Sequence, residues 1–359
     1  MTHAVPLNLA LQGGGAHGAY TWGVLDALLA EGASPWPDTA ADAPRSGLEF
    51  EGLSGSSAGA VNAVVLADGW LKGEAEGIGG RAGARRALTD FWTALGQKMP
   101  AHTVDPLGFG LVSPGQGAVS LGSAGRLLAS WASQFSPAQI NPFDLNPLRD
   151  LLVAQIDFEA LRRQSPFKLF IGATQVNTAR LRVFREHELN VDVLLASACL
   201  PRIHRTVVIE GEPYWDGGYS ANPAVYPLFQ ACRSSDVLLV LLNPLRRSRM
   251  PQSAAEIETR IAELGFNTHF MREMRMFASL PSYSLFNTKL ERRLRAMRFH
   301  MIGGSELESL ARSESKMLPY APFLQYLHAQ GREHARDWLR DNAAQVGRRS
   351  SIDVQALFA

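Results

Sequence analysis

Three serines crowd the stretch GLEFEGLSGSSAGAVNAVVLADG, and only one has the surroundings of a nucleophile. Ser57 is framed as G-x-S-x-G, with Gly55 and Gly59 two positions to either side, whereas Ser54 and Ser56 lack that frame. The pattern reads as a nucleophile elbow, a sharp and strained strand-to-helix turn whose neighbours must be small because strand and helix nearly touch. Gly55, Ala58 and Gly59 meet that demand. Such a turn lifts the serine Oγ above a sheet and sets the partial positive charge of a helix N-terminus beside it. The competing reading is structural, since serine is a favoured N-cap and small residues suit any tight strand-helix connection.

Attack of a hydroxyl on an ester carbonyl makes an oxyanion, and one preorganised N–H donor stabilises that charge by roughly 3 kcal/mol. The loop GGGAHG offers such donors: Gly13, Gly14 and Gly15, with Gly18 closing the turn, bring bare backbone close to a substrate. The same letters fit G-x-G-x-x-G, which in a dinucleotide fold expects an acidic residue about 20 positions on, at the end of the second strand. Asp38 and Asp42 stand at that distance but in a loop-like stretch, while the second strand ends in GLSG, which weakens the nucleotide reading.

A serine hydroxyl also needs a base. Of the 9 histidines, His269, His300, His328 and His334 follow late enough for a Ser…Asp…His order, yet none stands in a recognisable turn motif. Asp216 does. In YWDGGYSANP, Gly217 and Gly218 force a tight turn directly after strand-like residues. The carboxylate there either accepts the serine proton as half of a dyad or closes an Asx turn.

GGGAHG, GSSAG and DGG, in that order, together resemble the patatin-like phospholipase family over roughly residues 5 to 245, a glycine-rich insertion excepted. The resemblance implies an α/β fold, three-layer α/β/α with a mainly parallel central sheet and a helical insertion. It implies hydrolysis of lipid acyl esters, phospholipid or lysophospholipid, by a Ser-Asp dyad through an acyl-enzyme, with no metal and no cofactor. Carried over position by position, Ser57 is the nucleophile, Asp216 the base, and the amides of Gly14, Gly15 and Ala16 the oxyanion hole. Gly13, Gly18, Gly55, Gly59, Gly217 and Gly218 support these motifs. His17 stands where the family often has Arg or Lys, and is read as a structural residue. An acyltransferase or a soluble-ester esterase would use the same groups, and a non-catalytic lipid-binding scaffold is the alternative outside enzymes.

The elements that must position these residues follow from periodicity. PLNLALQ reads as a strand, and AYTWGVLDALLAEG as a helix with Trp22, Leu25, Leu28 and Leu29 on one face. LEFEGLSG and the helix from Ser57 repeat that order, and two β-loop-α units argue for a parallel sheet. Further on, RRALTDFWTALG, GRLLASWASQF and NPLRDLLVAQIDFEALRR read as helices, with the glycine-rich stretch DPLGFGLVSPGQGAVSLGSAG as loop. KLFIGATQVNT and LRVFRE read as strands, VDVLLASACLP as a helix ended by Pro201, and TVVIEGEPYWDGG as a hairpin. DVLLVLLNP is the clearest buried strand; SAAEIETRIAELGFNTHFMREMRMFA reads as a helix and LERRLRAMRFHMIGG ends in a last strand. The expected organisation is a catalytic domain over 1–303, carrying a lid-like insertion at about 72–147, and a helical extension over 304–359.

Of the 359 residues, 46% are hydrophobic and 19% charged, enough apolar surface for a sizeable core. Lys plus Arg total 35 against 34 Asp plus Glu, so no global field draws in nucleic acid. Cys199 and Cys232 read as buried free thiols without metal-ligand spacing. Neither a secretory signal nor a transmembrane run is evident, and a cytoplasmic protein is expected, with peripheral contact at the inner membrane surface allowed. Candidates for that contact are Phe109, Leu111, Trp131, Phe135 and Phe143 in the insertion and the amphipathic GRLLASWASQF, which otherwise packs on the domain. Arg246, Arg247, Arg249, Arg292, Arg293, Arg295 and Arg298 either hold lipid phosphates or line solvated helix faces. The tail QVGRRSSIDVQALFA docks on the protein or on a partner, and the motifs carry no oligomeric signal.

Overall fold

The computed structural model describes residues 4–31, 47–98, 111–115, 118–122, 136–247, 250–279, 288–304, 306–311 and 314–359. Among them run ten strands: β1 (Val5–Leu11), β2 (Leu48–Ser56), β3 (Leu111–Gly115), β4 (Ala118–Leu121), β5 (Lys168–Gln175), β6 (Leu181–Arg185), β7 (Val207–Ile209), β8 (Glu212–Asp216), β9 (Asp236–Leu241) and β10 (Arg298–Gly303). Eight form one sheet in the order β10-β9-β1-β2-β5-β8-β7, with β6 beside β5. β10, β9, β1, β2 and β5 are mutually parallel, while β6 and β8 run antiparallel to β5, and β7 to β8.

The apolar residues of the central strands set the layering. Leu7, Leu9 and Leu11 of β1 enter one hydrophobic cluster and Ala10 another, because successive side chains leave a strand on opposite faces. The apolar run of β9 divides likewise: Leu238 and Val240 join the first cluster, and Val237, Leu239 and Leu241 the second. A sheet with a core on each face needs helices on both, which is the three-layer α/β/α arrangement expected from the sequence. On one face lie α1 (Gly18–Glu31), α2 (Ala58–Ala75), α3 (Gly80–Gln97) and the C-terminal helix Ala321–Asn342. On the other lie the long helix Ala254–Ser279 and the tail helix Val354–Phe358, where the buried Phe358 ring meets Phe270 edge-on at 5.8 Å between centroids. The tail thus docks on the protein itself.

Three expectations change. NPLRDLLVAQIDFEALRR is two helices, Pro147–Gln155 and Phe158–Gln164, because Asp157 caps the second by accepting from the Ala160 N–H at 2.9 Å, while its own N–H turns to Asp68 Oδ1. The stretch read as loop holds the antiparallel pair β3 and β4. The arginines are largely engaged within the fold: Arg298 with Asp236, Arg247 with Glu263, Arg295 with Glu291, Arg293 with the carbonyls of Phe229 and Cys232, and Arg246 with that of Ala356. Phe143 is 83% exposed, in keeping with its candidacy for surface contact. GRLLASWASQF, Phe109 and Arg249 lie outside the described residues. Both cysteines are buried and free. No helix among the described residues is long and apolar enough to cross a membrane.

One buried carboxylate ties the helices of the first face together. Asp26 on α1 pairs with Arg85 of α3 at 2.6 Å, pairs with Arg332 of the C-terminal helix, and lies 3.4 Å from His328. Burial acts to raise its pKa, but the nearby His328 ring, the Arg85 hydrogen bond and the two guanidinium charges win and hold it at about 2. A depressed carboxyl pKa adds stability that is complete above the ordinary value and disappears as pH falls through the folded value. Asp26→Asn is therefore expected to lower the unfolding free energy by about 2 kcal/mol at pH 7. Denaturation curves of the two proteins should converge as pH falls from 4 towards 2.

Candidate active site

Ser57 stands between the end of β2 and the start of α2 with φ 54° and ψ −128°, a backbone conformation costing a non-glycine residue about 1–3 kcal/mol. Packing enforces it. A Cβ on Gly59 would collide with the Leu11 carbonyl oxygen, and one on Gly55 with the backbone of Gly59, so strand and helix touch with nothing between them. The Ser57 N–H donates to both O and Oγ of Ser197, at 3.1 and 3.0 Å, and Ser197 Oγ donates to Gly172 O at 2.6 Å. Ser57 occupies the N-cap position of α2, yet its side chain makes no capping hydrogen bond. The hydroxyl is left for another use, which removes the capping explanation of the motif.

Strand β5 brings the aspartate to that hydroxyl. Its residues 170–174 pair with β6 along one edge, so β2 and β8 must share the other. There Ser56 is opposite Gly172 and Asp216 opposite Ala173, consecutive positions of one strand. Two strand ends arriving from opposite directions thus meet with Ser57 and Asp216 side by side. Asp216 Oδ1 accepts from the Gly218 N–H at 2.7 Å, closing the Asx turn that the sequence also allowed. Oδ2 is buried and makes no hydrogen bond of proper geometry. Burial pushes the carboxyl up to about 7, and the Gly218 N–H and the nearby Ser57 hydroxyl keep it from rising further. Serine and carboxyl are in electrostatic reach with their hydrogen bond still open, as is common in sites without substrate.

The glycine loop completes the arrangement. Gly15 has φ +58°, and residues Gly15–His17 form one turn of 3-10 helix. The N–H groups of Gly14, Gly15 and Ala16 at its start find no acceptor among the described residues. The Gly13 N–H is already taken, by Asn222 Oδ1 at 2.7 Å, and Asn222 Nδ2 donates back to Gly13 O at 3.3 Å. That exchange locks the segment after Asp216 onto the loop. Gln12 holds the other side, its Oε1 accepting from the N–H groups of Leu242 and Asn243, each at 2.7 Å.

Ser57, Asp216 and residues Gly13 to Ala16 all line one cavity of about 470 Å³, walled mainly by apolar residues including Val61, Phe91, Trp92, Leu95 and Phe266. Gly18 packs against Ala58 and Trp92, and Gly217 against Gly172, beneath the site. A family model for patatin-like phospholipases matches residues 9–229. The chain belongs to the patatin-like phospholipase family. No curated protein matches the chain. Among solved structures, VipD from Legionella pneumophila is similar at 15% identity and a TM-score of 0.35, covering 92% of this chain and 67% of that one.

The patatin-like match contains the glycine loop, Ser57 and Asp216 in a single span. None of the four late histidines lines the cavity: His269 lies on the long helix, His300 bonds Asp236, His328 stands beside Asp26 and His334 bonds Tyr20. His17 is buried, its Nε2 bonded to Ser315 Oγ at 2.7 Å and its ring edge-on to Phe323, the structural place expected for it. Burial, helped by the Lys316 charge, keeps its pKa well below the usual value, so the ring is neutral. Sequence reading missed Asn222, Gln12, Ser197, Asn243 and Lys316, and also His204, which lines the cavity with its Nδ1 accepting from the Leu200 N–H at 3.2 Å. The N in YSANP was the one available signal, an amide close behind the aspartate turn.

A carboxyl pKa raised by folding has the opposite sign to that of Asp26. The folded chain keeps a proton that the unfolded chain releases above about pH 4, so this contribution is lost as pH climbs from 4 through 7. Asp216→Asn, uncharged throughout, avoids the loss. It should match the wild type near pH 4 and exceed it by about 4 kcal/mol at pH 8 in denaturant unfolding.

Proposed function

We propose that this patatin-like protein is a serine acyl hydrolase that cleaves carboxylic esters of lipids, with Ser57 as nucleophile and Asp216 as its base. The observation that carries the proposal is the pairing of a strained serine, spared from capping, with a buried carboxyl lifted to about 7 at the polar end of an apolar cavity. An ordinary aspartate, with a pKa near 3.9, is a weak base at neutral pH, whereas one near 7 is matched to its task.

In the reaction, Asp216 Oδ2 takes the Ser57 proton as Oγ bonds to the ester carbonyl carbon. The carbonyl π electrons move to oxygen, and the oxyanion accepts from the unused N–H groups of Gly14, Gly15 and Ala16. Collapse expels the alcohol, which leaves with the proton from Asp216. Water then gives a proton to Asp216 as its oxygen attacks the acyl-enzyme carbonyl, and on collapse Asp216 returns that proton to Ser57 Oγ, releasing the fatty acid and restoring serine and carboxylate. The apolar wall of the cavity suits an acyl chain. Ile257, Ile261 and Leu264, exposed on the long helix beside cavity-lining Ala262 and Phe266, support peripheral contact with a lipid surface.

Fatty acid release from phosphatidylcholine vesicles and from a short-chain soluble ester tests this reading. Wild type is expected to release acid, and Ser57→Ala to lose about 10³-fold or more of kcat; turnover kept by the alanine variant would remove Ser57 from the mechanism. Because the base must be ionised, kcat/KM should rise with pH through an apparent pKa near 7 and level off above it.

A further inference from the structure

The cavity contains a cation that the reaction above does not use. Lys316 lines it, on a short 3-10 turn, Glu314–Met317, far outside the family-matched span 9–229. Two contacts dock this turn on the glycine loop. His17 holds the adjacent Ser315, and the Lys316 carbonyl lies so close to Gly15 that any side chain on Gly15 would strike it. The part of the chain beyond the family core therefore delivers Lys316 beside the N–H groups assigned to the oxyanion.

Its surroundings are those of a binding group rather than of a structural ion pair. Lys316 is surrounded by protein yet keeps accessible surface, which a side chain facing an internal cavity does. Its one hydrogen bond among the described residues goes to a neutral acceptor, Asn243 Oδ1 at 2.8 Å. The Glu263 charge reaches the ammonium from the cavity wall, but that carboxylate is already shared between Arg247 and Arg260. Burial lowers the ammonium pKa only to about 8, so Lys316 is largely protonated at neutral pH. The site thus holds a desolvated positive charge that no carboxylate among the described residues contacts directly, and an ammonium offers three donors, of which Asn243 takes one.

We propose that Lys316 is the anion-binding group of this cavity, taking a phosphate or carboxylate carried on the alcohol side of the ester that Ser57 cleaves. The proposal rests on the acyl-ester reading of the cavity, and gives it a preference: esters of an anionic alcohol over neutral glycerides. A charge-assisted hydrogen bond in a water-poor recess favours the anionic ligand by about tenfold or more.

The test is equilibrium binding to the uncleaving Ser57→Ala protein of three ligands sharing one acyl chain: a monoacylglycerol, its phosphate and its hemisuccinate. Ser57→Ala is expected to bind an anionic ligand about tenfold or more tightly than the neutral one. Adding Lys316→Gln, which keeps a donor for Asn243, should bring the ratio near one, and Lys316→Arg should retain the preference. A tighter phosphate than hemisuccinate identifies phosphate as the anion, and the reverse order carboxylate. No preference in the parent, or a preference unchanged by Lys316→Gln, overturns the proposal and leaves Lys316 as a support for the glycine loop. Should the glutamine variant fail to fold, competition on Ser57→Ala decides: glycerol phosphate or succinate must displace the bound anionic lipid where glycerol does not. Binding does not depend on Ser57 chemistry, so failure of the hydrolase reading would appear separately, as silence of the wild type on every ester.

Discussion

The pairing register of β5 is the constraint on which the rest depends. Gly172 receives the end of β2 and Ala173 the end of β8, so a slip of one residue on either side would part Ser57 from Asp216 and turn one of them to the other face. Several groups converge to fix it. Gly172 O accepts from Ser197, which holds the Ser57 backbone, and Gly217 lies against that same carbonyl with no room for a side chain. Ser56 and Ser54 donate to the carbonyls of Ala221 and Ala224, fastening the segment after Asp216 to β2. The two serines that lack the nucleophile frame thus secure the strand beneath the one that has it.

The site is locally unfavourable and the surrounding fold bears the cost. Ser57 keeps a strained φ, Asp216 is a carboxyl without a counter-ion among the described residues, and Lys316 is an ammonium without a direct ion pair among them. Each is tolerable because hydrophobic clusters on both sheet faces, and the ion cluster at Asp26, hold the elements that present them. Asp26 and Asp216 show how far environment divides two residues of one type: three cationic or donor groups depress the first, and burial without a cationic partner raises the second.

Much of this was legible in the sequence, for physical reasons. Close approach of backbone to backbone admits only small residues, so GGGAHG, GSSAG and DGG carry the geometry of the turns in their letters, and the family followed from their order. Apolar runs and helical periods gave the layers. Contacts between distant residues were not legible: Asn222 meets Gly13, and Lys316 meets Asn243, through a fold that no local pattern announces. The same limit explains the arginines, whose partners Asp236 and Glu263 are remote in sequence. Asp157 was hidden inside an unbroken helical period, where its capping bond outweighed continuation. The raised pKa of Asp216 depends on what surrounds it, which a motif does not record.

The central claim is that Asp216 activates Ser57 and no other residue. Treating the folded protein with a fluorophosphonate and mapping the adduct by intact mass and peptide fragmentation tests it most directly, because the reagent traps an activated serine without requiring the right lipid. The account predicts a single adduct, on Ser57, forming faster as pH rises through 7 and far more slowly in Asp216→Asn. A folded protein that stays unlabelled, an adduct on another residue, or labelling indifferent to Asp216 would contradict it.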